Sequence, residues 1–144
     1  MLLIYRFGLF LHEHKIPFFP SLVKYFIRLV FGPSLGMGAQ IGKGTVLGYG
    51  GIGTVIHPRA VIGENVIISQ NVTIGGTSKK YNVPIIGDNC QISVGAAILG
   101  PIKIGNNCII GANAVVLTDI PDNSVVVGVP AKIIKSNINI SDYR

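Results

Sequence analysis

Five side chains of this 144-residue chain carry an imidazole or a thiol: His12, His14, His57, Cys90 and Cys108. An imidazole can take up or release a proton near pH 7, and a thiol attacks only as its thiolate. Cys90 and Cys108 stand eighteen residues apart with no histidine at metal-ligand spacing, so no zinc or iron–sulfur centre is signalled and both read as small buried hydrophobes. His12 and His14 fall in an apolar N-terminal stretch. His57, in Val55-Ile-His-Pro58, is the one histidine of the remaining chain and its leading candidate for proton transfer.

The elements that must position these groups follow from a period of six. From Ile56 the chain reads IHPRAV, IGENVI, ISQNVT, IGGTSK, and from Ile86 IGDNCQ, ISVGAA, ILGPIK, IGNNCI, IGANAV, VLTDIP. Each hexad opens on Ile or Val, and its fifth place holds a small or β-branched residue such as Ala60, Val66, Cys90, Ala96, Cys108 or Ala114. Positions one and five therefore point the same way. Gly, Asn and Asp at the second and fourth places suit corners, where φ turns positive. A strict six fits neither the 3.6 of a helix nor the 2 of a half-buried strand. It predicts an all-β solenoid in which three short sides close a triangular prism and successive coils stack as parallel strands. Cys90 and Cys108, both at fifth places, then lie one above the other.

Composition narrows the function. With 49% apolar and 12% charged residues the chain is no disordered tail, and 19 Gly with 8 Pro exclude a helical bundle. The net charge of +6 is scattered, its longest basic run Lys79-Lys80, so nucleic acid is a poor partner and small anionic ligands a better one. Two cysteines, a leader interrupted by Arg6 and no apolar run near ~20 residues point to a cytoplasmic protein that does not span a membrane.

The period breaks three times. Ile41 to Leu47 lie three residues out of phase with Ile56, across the glycine-rich Gly48-Tyr-Gly-Gly-Ile-Gly53. The stretch 76–85 lacks an apolar residue at Lys80 and reads as a protruding loop. After Pro121 the phase is lost and resumes as Val127-Gly-Val-Pro-Ala-Lys132. The resulting organisation is a helical segment 1–38, a solenoid 39–134 and a loosely held polar tail 135–144.

These features resemble the hexapeptide-repeat acyltransferases, whose fold is a left-handed parallel β-helix, and within them the serine acetyltransferase branch with its short capsule and O-antigen relatives. The resemblance rests on Gln70-Asn-Val-Thr-Ile-Gly-Gly-Thr77, Gly95-Ala-Ala-Ile-Leu-Gly-Pro-Ile102, Ile109-Ile-Gly-Ala-Asn-Ala-Val-Val116 and Val127-Gly-Val-Pro-Ala-Lys-Ile-Ile134. It implies transfer of an acetyl group from acetyl-coenzyme A to a hydroxyl, of serine or of a sugar, without a metal, in a cleft between subunits of a homotrimer. It also implies that the pantetheine arm meets the backbone near Gly76, Ala96 and Ala114, and that Lys132 meets phosphate. The family's two histidines are replaced here: Tyr49 stands at the first position and Val83 at the second. His57 is then either the general base or an ordinary Ile-His-Pro corner, and Tyr49 a hydrogen-bond donor or positioning group. Loss of both histidines keeps a noncatalytic binding or scaffold protein as the alternative.

Residues 2 to 31 do not follow the hexad. They carry Phe7, Phe10, Phe18, Phe19, Tyr25 and Phe26, and predict one helix over Leu2 to His14 and a second from Pro20-Ser21 to Gly32-Pro33. In the second, Leu22, Phe26 and Leu29 share one side while Lys24 and Arg28 share another. Packing on the open first coil is the expected role, and contact with a membrane surface the alternative.

Overall fold

The computed structural model describes residues 1–143; Arg144, the end of the expected polar tail, lies outside the described residues. Two helices, α1 (Leu2–Glu13) and α2 (Phe19–Phe31), precede a parallel solenoid. Its strands are two to four residues long and stack into three faces. Leu35, Ile56, Ile74, Ile98 and Val116 follow one another on the first face, Ile41, Ile62, Ile86 and Ile104 on the second, and Leu47, Ile68, Ile92, Ile110 and Val126 on the third.

Every hexad-opening residue from Ile56 to Val116 is buried, and so is every fifth-place residue named above. The core is therefore a column of stacked isoleucines with a smaller residue at each corner, which is why the period survives at all. Cys90 and Cys108 sit on consecutive coils within hydrogen-bonding reach of each other, and that contact draws the Cys108 thiol's pKa down. Cys108 Sγ also donates to the carbonyl of Pro121 at 3.1 Å.

The corner residues divide into two kinds. The fourth-place residues Asn65, Asn71, Asn89, Gly95, Asn107 and Asn113 all have positive φ, as a left-handed corner needs. The second-place glycines Gly63, Gly87 and Gly105 do not, and their reason is clearance. A Cβ on Gly87 would stand 2.8 Å from the carbonyl carbon of Gly105 on the next coil. Between coils at this corner, side-chain oxygens satisfy backbone donors: Asp88 accepts from Glu64 N–H, Asn106 from Asp88 N–H and Asp122 from Asn106 N–H, each at 2.8 Å.

The three breaks have structural counterparts. Leu35 pairs with Ile56, Ile41 with Ile62 and Leu47 with Ile68, a register of twenty-one residues whose surplus is a 3₁₀ turn at Gly48–Gly51. A whole hexad leaves the prism between Gly75 and Ile85, so Ile62 pairs with Ile86; Ile85 is itself strand. At the end Ile110 pairs with Val126, two residues short of a coil. The inward residue there is Val126 rather than the expected Val127, because the coil is already two residues short at Ile120, which pairs with Ile104, so the phase is lost before Pro121 and not after it; Lys132–Lys135 then doubles back antiparallel, and residues 128–131 cross the first face. The polar tail is held at Ile138, whose N–H donates to Asn123 at 3.0 Å, before a 3₁₀ turn at Ile140–Tyr143.

The helices close the first coil. The Tyr5 hydroxyl, buried and with its pKa pushed well up by burial, is shared between the carbonyls of Gly36 (2.9 Å) and Ala39 (2.8 Å), and Arg6 caps the carbonyl of Gly42 at 3.0 Å. Gly8 lets α2 approach, since a Cβ there would lie 2.7 Å from Val23 Cγ1. The stripe of Leu22, Phe26 and Leu29 nonetheless faces outward; α2 packs through Pro20, Ile27 and Val23. Val23 fits the small contact that Gly8 leaves.

Candidate active site

A solenoid's sites lie at its corners, where backbone leaves the ladders and side chains reach solvent. The predicted residues fall on two of them. The corner between the first and second faces holds His57, Gly76 and Val83; the corner between the third and first holds Tyr49, Ala96 and Ala114.

At the first corner His57 opens the turn after Ile56. A Cβ on Gly76 of the next coil would lie 3.9 Å from His57 Cδ2 and 3.2 Å from Val83 Cγ1. The imidazole thus stands beside the loop residue at which the family's second histidine is missing, though 26 positions earlier in the chain. Glycine at 76 keeps the ground between them open. His57 Nδ1 accepts the backbone N–H of Arg59 at 3.1 Å. A backbone N–H can only donate, so the neutral ring carries its proton on Nε2, a tautomer assigned from this partner. Desolvation first, and the Arg59 charge second, hold the imidazole pKa below its ordinary value. The result is a neutral ring with Nε2–H as a donor.

Arg59 was not among the residues expected to matter. Its guanidinium lies 4.1 Å from the centre of the Tyr81 ring and donates to the Tyr81 carbonyl, so it pins loop 76–84 over the second face. Beneath the loop is a cleft of about 360 Å³ that Arg59, Tyr81, Val83 and Lys103 help to line. The Arg-Ala that follows His57-Pro58 carries no sequence signal for this role, because its partner lies 22 residues away in the loop. Arg59→Ala is expected to speed trypsin cleavage after Lys79 or Lys80 several-fold while leaving the solenoid's unfolding midpoint in place; cleavage at the wild-type rate would show that the loop holds itself.

At the second corner Tyr49 occupies a left-handed turn (φ 50, ψ 37) and is 78% exposed. Ala96 and Ala114 are fully buried, their methyls inside the prism. Their carbonyls accept from Thr73 and Ala97 of neighbouring coils, and their N–H groups donate to Ser93 and Gly111. Lys132 is exposed and pairs with Val127, where the third face ends beside this corner. Tyr49, Ala96, Ala114 and Lys132 therefore mark one edge of the prism over about 24 Å, five inter-strand spacings of about 4.8 Å. An extended ligand with an anionic end matches such an edge closed by a cation.

The two corners stand apart by the width of the first face, about 10 Å for the extended run from Thr54 to His57 at about 3.3 Å per residue. Among the described residues no hydrogen bond joins Tyr49 to His57. Each chain presents the two groups of candidate residues on corners facing different directions. Among the described residues there is also no cluster of His, Cys, Asp or Glu able to hold a metal ion.

Comparison with known proteins gives a consistent picture. The family profile described as "Bacterial transferase hexapeptide (six repeats)" matches residues 84–118. A serine acetyltransferase of Synechococcus elongatus is 37% identical over 135 residues, 92% of this chain and 55% of the relative. A crystal structure of serine acetyltransferase in complex with coenzyme A from Brucella abortus superposes with a TM-score of 0.90 at 32% identity, over 96% of this chain and 56% of that one. That of Neisseria gonorrhoeae in complex with serine gives 0.86 at 34%, over 92% and 54%. The chain spans about half the length of the curated relatives it matches.

Proposed function

The chain belongs to the hexapeptide-repeat transferases, on their serine acetyltransferase branch, and from that premise we propose that it transfers an acetyl group from acetyl-coenzyme A to the hydroxyl of L-serine. The observation that carries the proposal is the match to serine acetyltransferases over both helices and the solenoid together, with the relatives solved in complex with coenzyme A and with serine. Nothing observed favours a sugar acceptor or a noncatalytic scaffold.

The active unit in this reading is a homotrimer. A neighbour's corner bearing Tyr49 meets the corner bearing His57 and Gly76, and the two half-sites become one cleft. Gly76 gives the ligand close approach. The edge marked by Ala96 and Ala114 carries it past ladder backbone, and Lys132 answers phosphate. When bound, acetyl-coenzyme A supplies an activated acyl thioester. His57 offers Nε2–H to an oxygen that gains negative charge during acyl transfer, and its depressed pKa keeps it neutral at pH 7. The Tyr49 phenol both accepts and donates, so it can relay the proton of the acceptor hydroxyl to the departing coenzyme A thiolate as the ester C–O bond forms and the thioester C–S bond breaks.

The test is release of coenzyme A thiol from acetyl-coenzyme A with L-serine, beside a panel of sugar hydroxyls. Turnover with serine at least tenfold above every sugar is expected. Turnover only with a sugar would replace the acceptor, and none with any acceptor would remove the enzyme reading.

A further inference from the structure

The His57 ring separates two spaces. Toward the next coil lies Gly76, along the proposed path of the acyl donor. Toward the previous coil, between the α1–α2 hairpin and the first face, runs a groove of about 440 Å³. Its polar lining is His12, Ser21, Lys24, Ser34 and His57, and Met37 forms part of its apolar floor. Each of the five polar side chains can donate a hydrogen bond, and no Asp or Glu among the described residues lines the groove. Ser21 stands in the first turn of α2, at the positive end of the helix dipole. A Cβ on Gly38 would lie 3.9 Å from His12 Nε2, so glycine there keeps the ground beside the imidazole open.

Lys24 stands to gain most from an occupant. It is half-buried, its ammonium lies 5.6 Å from the centre of the Tyr25 ring, and no carboxylate pairs with it among the described residues. A cation drawn out of water without a counter-charge is unfavourable, and a bound anion offsets that cost. His57 Nδ1 is already taken by the Arg59 N–H, so the nitrogen left to a ligand is a donor as well. A neutral ligand would leave the ammonium unanswered. We propose that this groove is the anion site for the acceptor: it takes the carboxylate that lies next to the acceptor hydroxyl, Lys24 selects for that charge, and the hydroxyl is delivered to His57, where the thioester arrives past Gly76. The proposal rests on the acceptor reading above only for the molecule that carries the carboxylate.

Calorimetric titration of the full chain tests it without turnover, in the presence of coenzyme A, which has no acetyl group to transfer. L-Serine is compared with L-serinamide, which lacks the carboxylate, and D-glucuronate with D-glucose, which carry the same difference on a sugar. Wild type is expected to bind the carboxylate member of at least one pair about tenfold or more tightly than its counterpart, the effect of one charge-assisted contact. Lys24→Met, which keeps the apolar stem, should remove that preference, and Lys24→Arg should keep most of it. Circular dichroism checks that each variant retains the wild-type fold. In steady state, Lys24→Met should raise the KM for L-serine at least about tenfold and leave the KM for acetyl-coenzyme A within about twofold, a split that a loosened hairpin would not produce. Wild type that binds neither carboxylate better than its counterpart would overturn the proposal. So would a preference that survives Lys24→Met, and that result would leave serine in place as the acceptor. Preference for glucuronate with no binding of serine would support the groove and remove serine from the reading.

Discussion

His57→Ala is expected to lower turnover with acetyl-coenzyme A and serine at least about a hundredfold, the usual loss when one fixed donor to a developing oxyanion is removed. The KM for acetyl-coenzyme A should stay within about threefold, because the edge running from Ala96 to Lys132 is untouched. The informative variant is His57→Gln. Its amide N–H₂ can occupy the place of Nε2–H but cannot serve as a base, so a donor role predicts turnover within about tenfold of wild type, and a base role predicts Gln as damaged as Ala. The pH profile gives an independent reading. Burial and the Arg59 charge lower the imidazole pKa, so neutral His57 prevails at pH 7 and persists below the pH at which an unperturbed imidazole would protonate. A base would lose activity as pH falls through that depressed pKa. A donor keeps its N–H when protonated, so kcat/KM should hold nearly level as the pH is lowered from about 8 through that depressed pKa. A steep acid limb in this window, absent from the Gln variant, would return His57 to the role of proton acceptor.

Why the fold was legible and the site only partly so comes down to what each depends on. A hexad pattern is a local constraint repeated ten times, and a buried isoleucine or valine at each first place leaves one way to stack the coils. The phase shifts before Ile56 and in 76–85 could be measured from the repeat itself, since each displaces isoleucines by a countable number of residues. The end could not: Val125, Val126 and Val127 are alike as residues, and which one turns inward is set by the two residues missing between Val116 and Ile120. Second-place glycines carry the same ambiguity, because glycine marks a positive φ and a close approach with one letter, and here the approach decides. The outward stripe of α2 was misread for a related reason: amphipathicity names two faces but not which one meets the protein. At the site, the Arg59 contact with Tyr81 and the Nδ1 contact with Arg59 N–H depend on where a loop folds back and on a single turn. Neither leaves a period in the sequence.

Mixed oligomers give the second large effect. Tyr49 and His57 of one chain lie on opposite edges of its first face, so in the proposed trimer a complete cleft would take one residue from each of two neighbours. Tyr49→Phe alone should lower turnover tenfold or more, because the phenol oxygen that passes the proton is gone while the ring and its turn remain. Mixing Tyr49→Phe subunits with His57→Ala subunits, unfolded and refolded together in equal amounts, then creates clefts of a third kind. Where an intact Tyr49 from one chain faces an intact His57 from the next, the cleft is wild type, and random assortment around a closed ring makes about a quarter of all clefts so. Turnover should climb from a tenth of the wild-type value or less in each parent to about a quarter of it, with unmixed parents and a mixture never unfolded staying at the parents' level. If both residues served the same cleft from within one chain, every cleft would carry one defect and refolding would restore nothing. An activity stuck at the parents' level, in mixtures whose subunits demonstrably exchanged, would therefore rule out the shared cleft even if His57 and Tyr49 each proved essential.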